Sequence, residues 1–382
     1  MAENDAEERK ARRKRAVQGA GRVLARSGAL LSLGERLSSL VEQAPAVYDL
    51  SSPVDSYGDG VMADLERRVA ELLGKEDAAF FPTGTMAQQV ALRCWAGRTG
   101  NNRVVLHPLS HPEMFESDAF EVVSGLRPVW ATREPRQPTA EEIRKLPEPY
   151  GTLMLELPLR EAGYLLPTWE ELVEVTGAAR ERNAAVHFDG ARLWESTTRL
   201  GHPLEEIAAL ADTVYVSFYK SLGGLSGAAV AGPRSLVEEM RIWRHRYGGK
   251  LAQQFPAALS AFVGLDQELP RLPEYVAHAR LVAAAMAEGF RDAGLGWFKV
   301  WPEEPHTHQF QVWLPFPVEA LETAVIRQAE ENGVAIFQIS WWEPGLPPGI
   351  AVTEVTVNAA GLEWTPDEVR AATRDFVGFL SR

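Results

Sequence analysis

Four short stretches of this chain carry residue types that could do chemistry together. Val216-Ser217-Phe218-Tyr219-Lys220-Ser221-Leu222-Gly223-Gly224 sets one lysine just past an apolar run and just before glycines. A lysine partly withdrawn from water at such a place has a lowered pKa, and its neutral amine is a nucleophile. The position also suits an ordinary surface lysine. The glycine-rich continuation to Gly227 favours backbone passing close to something. In His187-Phe188-Asp189-Gly190-Ala191-Arg192 a carboxylate ends another apolar run, where a turn opens. It could keep the nitrogen of a pyridine cofactor protonated and so make that ring an electron sink, or simply cap the next helix. Thr83-Gly84-Thr85 lies between a strand-like and a helix-like segment. Free N–H groups there, with hydroxyls beside them, could cradle a phosphate or serve only as a cap. Ser110-His111, followed by Glu116, offers an imidazole that could lie flat on an aromatic cofactor or be structural.

The elements that must position these residues can be read from periodicity. Short apolar runs at 78–81, 103–106, 151–157, 184–189, 213–218 and 227–231 predict strands separated by helical stretches. That alternation predicts an α/β domain around a mostly parallel sheet, with His187, Asp189 and Lys220 near the carboxyl ends of strands. Met62, Leu65, Val69, Leu72 and Leu73 mark a helix that Gly74 closes, and further helices are expected at 233–247 and 273–293. From about 296, strands at 309–314 and 350–357 flank a helix near 319–332, and a helix at 365–380 follows. The expected organisation is a helical, basic arm at 1–45, a large α/β domain at 46–295, and a small α+β domain at 296–382. Within the arm, Val23, Leu24, Leu30, Leu31, Leu33, Leu37, Leu40 and Val41 are intermittent apolar positions, with Pro45 as the stop.

Composition narrows the class. The 382 residues are 46% hydrophobic and 24% charged, which is globular, and the net charge of −13 argues against a nucleic-acid surface. Residues 1–26 depart from this, with eight Lys/Arg against four acids. The expectation for them is a solvated helix or frayed tail, or one that docks on an acidic subunit, with binding of RNA or anionic lipid as the alternative. No apolar run approaches the roughly 20 residues that span a bilayer, so no membrane partner is expected. The N-terminal charges continue where a secretory signal would turn apolar, and a cytoplasmic protein is expected. Cys94 is the only cysteine, which excludes an intrachain disulfide and a cysteine-based metal site.

Taken together and in order, these pieces resemble the threonine aldolase branch of the aromatic amino acid β-eliminating lyases. The resemblance covers about residues 48–265. It rests on Gly58-Asp59 with Leu65-Glu66, Leu73-Gly74-Lys75-Glu76, Phe81 through Ala87, His111 through Glu116, His187–Arg192, and Lys220 with Leu222-Gly223. It implies the aspartate aminotransferase-like fold, with pyridoxal 5′-phosphate (PLP) as cofactor. Gly84 and Thr85 would hold the cofactor phosphate, and His111 would stack on the ring and act as a candidate base. Asp189 would pair with the ring nitrogen, Arg192 would sit near the phenolic oxygen, and Lys220 would be the Schiff-base lysine. Ser52 falls about where the family has a residue near the substrate carboxylate. A homodimer or homotetramer is implied, because active sites of the family form between subunits.

Two departures bear on the substrate. Where the family grips the substrate carboxylate with an arginine on a late strand, this chain has Glu354. An acid facing a carboxylate repels it, so Lys250 or one of Arg241, Arg244 and Arg246 becomes a replacement candidate. His306-Thr307-His308 could present two imidazoles on one strand face, but no third ligand is evident and no metal is expected. His308 is instead a substrate-side candidate, with Gln309 beside it. Trp341-Trp342 lines an entrance or packs the small domain. The expected activity is PLP-dependent Cα–Cβ cleavage of a β-hydroxy-α-amino acid to glycine and an aldehyde. The alternatives are β-elimination or a related amino-acid reaction on the same fold, and a non-catalytic PLP-binding module.

Overall fold

The computed structural model describes residues 2–26, 28, 31–345 and 347–380. Contacts divide the chain into two units, Leu37–Pro270 on one hand and Met1–Arg36 with Arg271–Arg382 on the other. Both expected boundaries therefore move. The N-terminal helix Ala2–Gly19 packs on helix Val318–Asn332, where Arg9, Arg12 and Arg13 meet Glu319, Glu330 and Glu322. Three of its cations are thus paired inside its own unit, and the segment is a docked helix with an exposed face and not a frayed tail. Helix Leu272–Asp292 joins that unit because Ala279, Val282, Met286 and Phe290 share a core with Phe310, Leu321 and Phe376.

The single helix expected over 1–45 is interrupted. After Ala2–Gly19 comes a two-residue strand, β1 (Arg22–Val23), and then helix Leu33–Gln43. Gly19 and Gly21, poor helix formers two positions apart, stand at the break. Leu30, one of the apolar positions expected there, lies outside the described residues.

Along the chain follow β2 (Asp77–Phe81), β3 (Arg103–Leu106), β4 (Arg127–Trp130), β5 (Thr152–Glu156) and β6 (Ala185–Gly190). Then come β7 (Thr213–Ser217), β8 (Ala228–Gly232), β9 (Lys299–Trp301), β10 (Gln309–Leu314), β11 (Val334–Ala335) and β12 (Ala351–Thr356). In the unit Leu37–Pro270 seven strands form one sheet in the order β2-β8-β7-β6-β5-β3-β4. Only β8 runs against its neighbours, and the remaining pairings are parallel. Strands β5 to β8 are buried at every position, as expected of parallel sheet covered on both faces. Strand β4, missed in the sequence, is the edge strand, carries Pro128 and is largely unburied, so it lacked the apolar signal.

In the other unit, β12, β10 and β9 form an antiparallel sheet, and β1 pairs in parallel with β11. Glu354 lies on β12, buried and in register with Gln311. His308, just before β10, is buried with its ring edge-on to Tyr275. Trp341 is a core residue, packed against Phe337 and Phe376.

Two features hold β2, which delivers the Thr83-Gly84-Thr85 turn. Apolar residues of helix Gly84–Thr99 (Ala87, Val90, Ala91, Cys94) and of helix Arg234–Arg246 (Leu236, Val237, Met240) close over Ala79, Phe81 and Val230. Beneath them, the buried carboxylate of Glu66 accepts the Phe80 N–H at 2.8 Å, Arg244 at 3.0 Å and Arg241 at 2.8 Å. Arg241 also donates to Asp77 at 2.7 Å. Neither arginine is therefore a spare cation for a substrate, which corrects the expectation for that pair. Truncating Glu66 to alanine would leave the buried Arg244 guanidinium without its acid and the Phe80 N–H without its acceptor, while Arg241 keeps Asp77. Urea unfolding of that variant is expected to show a loss of about 3–5 kcal/mol, and an unchanged midpoint would contradict the ion-pair account.

Candidate active site

The carboxyl ends of β5, β6 and β7 bring three ionisable side chains into one place. Register sets Glu156 beside Asp189, and Asp189 beside Tyr215. Lys220 follows three residues after β7, in a turn closed by the Gly223 N–H donating to the Lys220 carbonyl at 3.2 Å. A cavity of about 260 Å³ opens here, lined among others by Thr83, Gly84, Thr85, His111, Asp189 and Lys220. An adjoining recess is lined by Glu156, Arg160, Asp189, Arg192 and Lys220. Gly84, Thr85, His111, Asp189 and Lys220, all singled out from the sequence, thus share the larger cavity, and Arg192 borders its neighbour. Ser52 is exposed on the loop before helix Val61–Leu72 and is absent from the lining.

Each member is positioned by a local device. Thr83 is extended and caps helix Gly84–Thr99, its Oγ1 accepting the Met86 N–H at 3.2 Å. The N–H groups of a helix's first turn have no partner within the helix, which leaves those of Gly84 and Thr85 facing an anion-binding position. Gly84 is required by space: a Cβ there would fall 2.2 Å from Tyr215 Oη. Gly227, immediately before β8, has φ of +94° and would press a Cβ into the Phe80 ring at 2.3 Å.

Electrostatics distinguish the acids from the amine. Burial raises the pKa of Asp189, while Lys220 and His111 pull it down. Burial, and then Asp189, push Glu156 up to about 7. Glu156 nonetheless anchors two backbones, accepting N–H groups of His111 at 2.7 Å and Arg160 at 3.1 Å. Burial also lifts Glu195 to about 7, with Ser221, Arg192 and Lys220 acting in the opposite direction. For Lys220, burial and then the Arg192 charge bring the amine down to about 8, against the pull of Asp189 and Glu156. The ring of His111 is fixed by Glu116, whose Oε1 lies 3.0 Å from Nδ1.

These residues fit pyridoxal phosphate: an anion-binding helix start, an acid for a ring nitrogen, and a neutralisable amine on one cavity. Sequence reading missed Glu156, Gln88, Tyr215 and Tyr219. Glu156 carried the same signal as Asp189, an acid ending an apolar run. Gln88 and Tyr215 lie inside regular elements and gave none. Among the described residues no group of three or more His, Cys, Asp or Glu is placed to hold a metal. No helix among them is long and apolar enough to cross a membrane.

A family model described as beta-eliminating lyase matches residues 52–294. The chain is 32% identical over 254 residues to the low specificity L-threonine aldolase of Escherichia coli (strain K12), spanning 64% of this chain and 74% of that one. It is 31% identical over 206 residues to an alanine racemase of Cochliobolus carbonum, spanning 51% of each. Among solved structures, a candidate L-allo-threonine aldolase from Listeria monocytogenes EGD-E superposes with a TM-score of 0.85 at 34% identity. That match covers 97% of this chain and 99% of the other. The serine palmitoyltransferase of Sphingomonas wittichii, at a TM-score of 0.63 and 18% identity over 90% and 82% of the two chains, shares the fold alone. The chain belongs to the threonine aldolase and beta-eliminating lyase family.

Proposed function

We propose that this protein is a PLP-dependent lyase that cleaves the Cα–Cβ bond of a β-hydroxy-α-amino acid, giving glycine and an aldehyde. The observation that carries the reading is Lys220 and Asp189 on one cavity with the Gly84–Thr85 helix start. Bound PLP supplies a sink for the electron pair released at Cα. In this reading Gly84 and Thr85 would bind its phosphate, Asp189 would hold a proton at its ring nitrogen, and Arg192 would face its phenolic oxygen. Lys220 would supply the amine that holds the coenzyme, kept available in its neutral form by burial beside Arg192.

His111 is the base for the β-hydroxyl proton. With its Nδ1–H donated to Glu116, the ring presents the Nε2 lone pair, and the Glu116 charge stabilises the imidazolium that forms. Which bond breaks depends on holding the Cα–Cβ bond perpendicular to the coenzyme ring, a task for the groups that grip the substrate carboxylate. The resemblance offers Ser52 for that side, and Glu354, at the position of the family's arginine, would repel a carboxylate. A homodimer or homotetramer is part of the proposal. Helix Leu33–Gln43 has no buried residue and exposes Leu33, Leu37 and Val41 along one face. A light-scattering mass of a single chain would remove that part.

Product analysis tests the activity. Incubation of the PLP-loaded protein with threonine or allo-threonine is expected to release glycine and acetaldehyde in equal amounts. A keto acid with ammonia would transfer the assignment to β-elimination, and alanine interconversion alone would transfer it to racemisation. The pH dependence of coenzyme capture tests the lysine. The rate at which the coenzyme-free chain takes up PLP is expected to rise with pH and level off above about 8, where Lys220 loses its proton. Arg192→Gln removes a neighbouring cation and should move that midpoint upward. A midpoint that stays near the ordinary lysine value in the unaltered chain would contradict the assignment.

A further inference from the structure

Gln88 carries a donor that the protein itself does not use. Its side chain is 1% exposed, sits one turn into helix Gly84–Thr99, and lines the cavity. Its Oε1 lies 2.6 Å from His187 Nε2, whereas its Nε2 has no hydrogen-bond partner. His187 is wholly buried, and its Nδ1 lies 2.8 Å from Thr213 Oγ1. The Thr213 oxygen in turn accepts the Trp95 indole N–H at 2.9 Å.

These contacts order the protons. With a carbonyl oxygen facing it, His187 Nε2 is the nitrogen that carries hydrogen, so Nδ1 accepts from the Thr213 hydroxyl. Burial pulls the imidazole down to about 3, so the ring is neutral and has a single proton to place. Trp95 gives to Thr213, Thr213 to His187, and His187 to Gln88. Every donor finds an acceptor until the Gln88 amide, which is left at the cavity wall. A buried donor without a partner is costly, and a fixed chain of side chains that produces one marks a group intended for a ligand.

We propose that Gln88 is a further coenzyme-binding residue, its amide N–H donating to an acceptor oxygen of bound PLP, with His187 and Thr213 as positioning residues. Gln88 stands four residues from Gly84 and three from Thr85, on the face of the helix those residues share. The inference rests on the PLP reading above, and its test keeps the two apart.

PLP is titrated into the full-length, coenzyme-free chain, and its dissociation constant is read from the absorbance change. Gln88→Met keeps the length of the side chain and removes the donor. It is expected to raise the dissociation constant about tenfold, the scale of one lost hydrogen bond. Thr213→Val leaves Gln88 in place and removes the hydroxyl that sets the His187 proton. It should weaken binding several-fold alone and add little in a Gln88→Met background. A folded Gln88→Met chain that binds PLP as tightly as the unaltered one overturns the inference. Should Gln88→Met fail to fold, an unchanged dissociation constant for Thr213→Val overturns it equally. An unaltered chain that does not bind PLP removes the functional reading itself, before Gln88 is considered.

Discussion

An amine held out of water between a cation and two acids is the interaction on which the rest of this structure depends. Lys220 would ordinarily be protonated and inert as a nucleophile near neutral pH. Burial and the Arg192 guanidinium work against its charge, while Asp189 and Glu156 work in favour of it. The balance falls near pH 8, where a useful fraction of the amine is neutral and the acids still keep it from being expelled to solvent. Removing either side would tip it toward a permanently charged lysine or toward one with no reason to stay.

Most of the unit Leu37–Pro270 can be understood as the scaffold for that balance. Three adjacent parallel strands end at the same level, so Glu156, Asp189 and the Lys220 turn converge without any long loop. The reversed strand β8 returns the chain from the lysine turn to pair with β2, whose end leads into helix Gly84–Thr99. Helices Gly84–Thr99 and Arg234–Arg246 press on those strands, and the Glu66–Arg241–Arg244 cluster fixes β2 from beneath. A charged network placed there holds the strand that leads into the Thr83-Gly84-Thr85 turn, while its own charges are used up internally.

The sequence made some of this legible and concealed the rest for physical reasons. Buried parallel strands are short apolar runs, and Asp189 and Lys220 stood out because a charge at the end of such a run needs a reason. The direction of β8 was not legible, because strand polarity depends on pairing and not on pattern. Arg241 and Arg244 looked like spare cations. Their acids, Glu66 and Asp77, lie more than 160 positions away in the chain and only the fold brings them together. The basic N-terminal segment misled in the same way, its partners being acids of helix Val318–Asn332. Gln88 was invisible for a different reason: inside a helix a glutamine gives no hint of which neighbour will hold its oxygen.

The central claim is that one particular amine forms the bond to the coenzyme. Reduction of the PLP-loaded protein with borohydride, followed by proteolysis and mass measurement, tests it most directly. The account predicts a pyridoxyl-phosphate adduct on the peptide that contains Lys220 and on no other. An adduct on Lys250 or another lysine, with Lys220 unmodified, would contradict it.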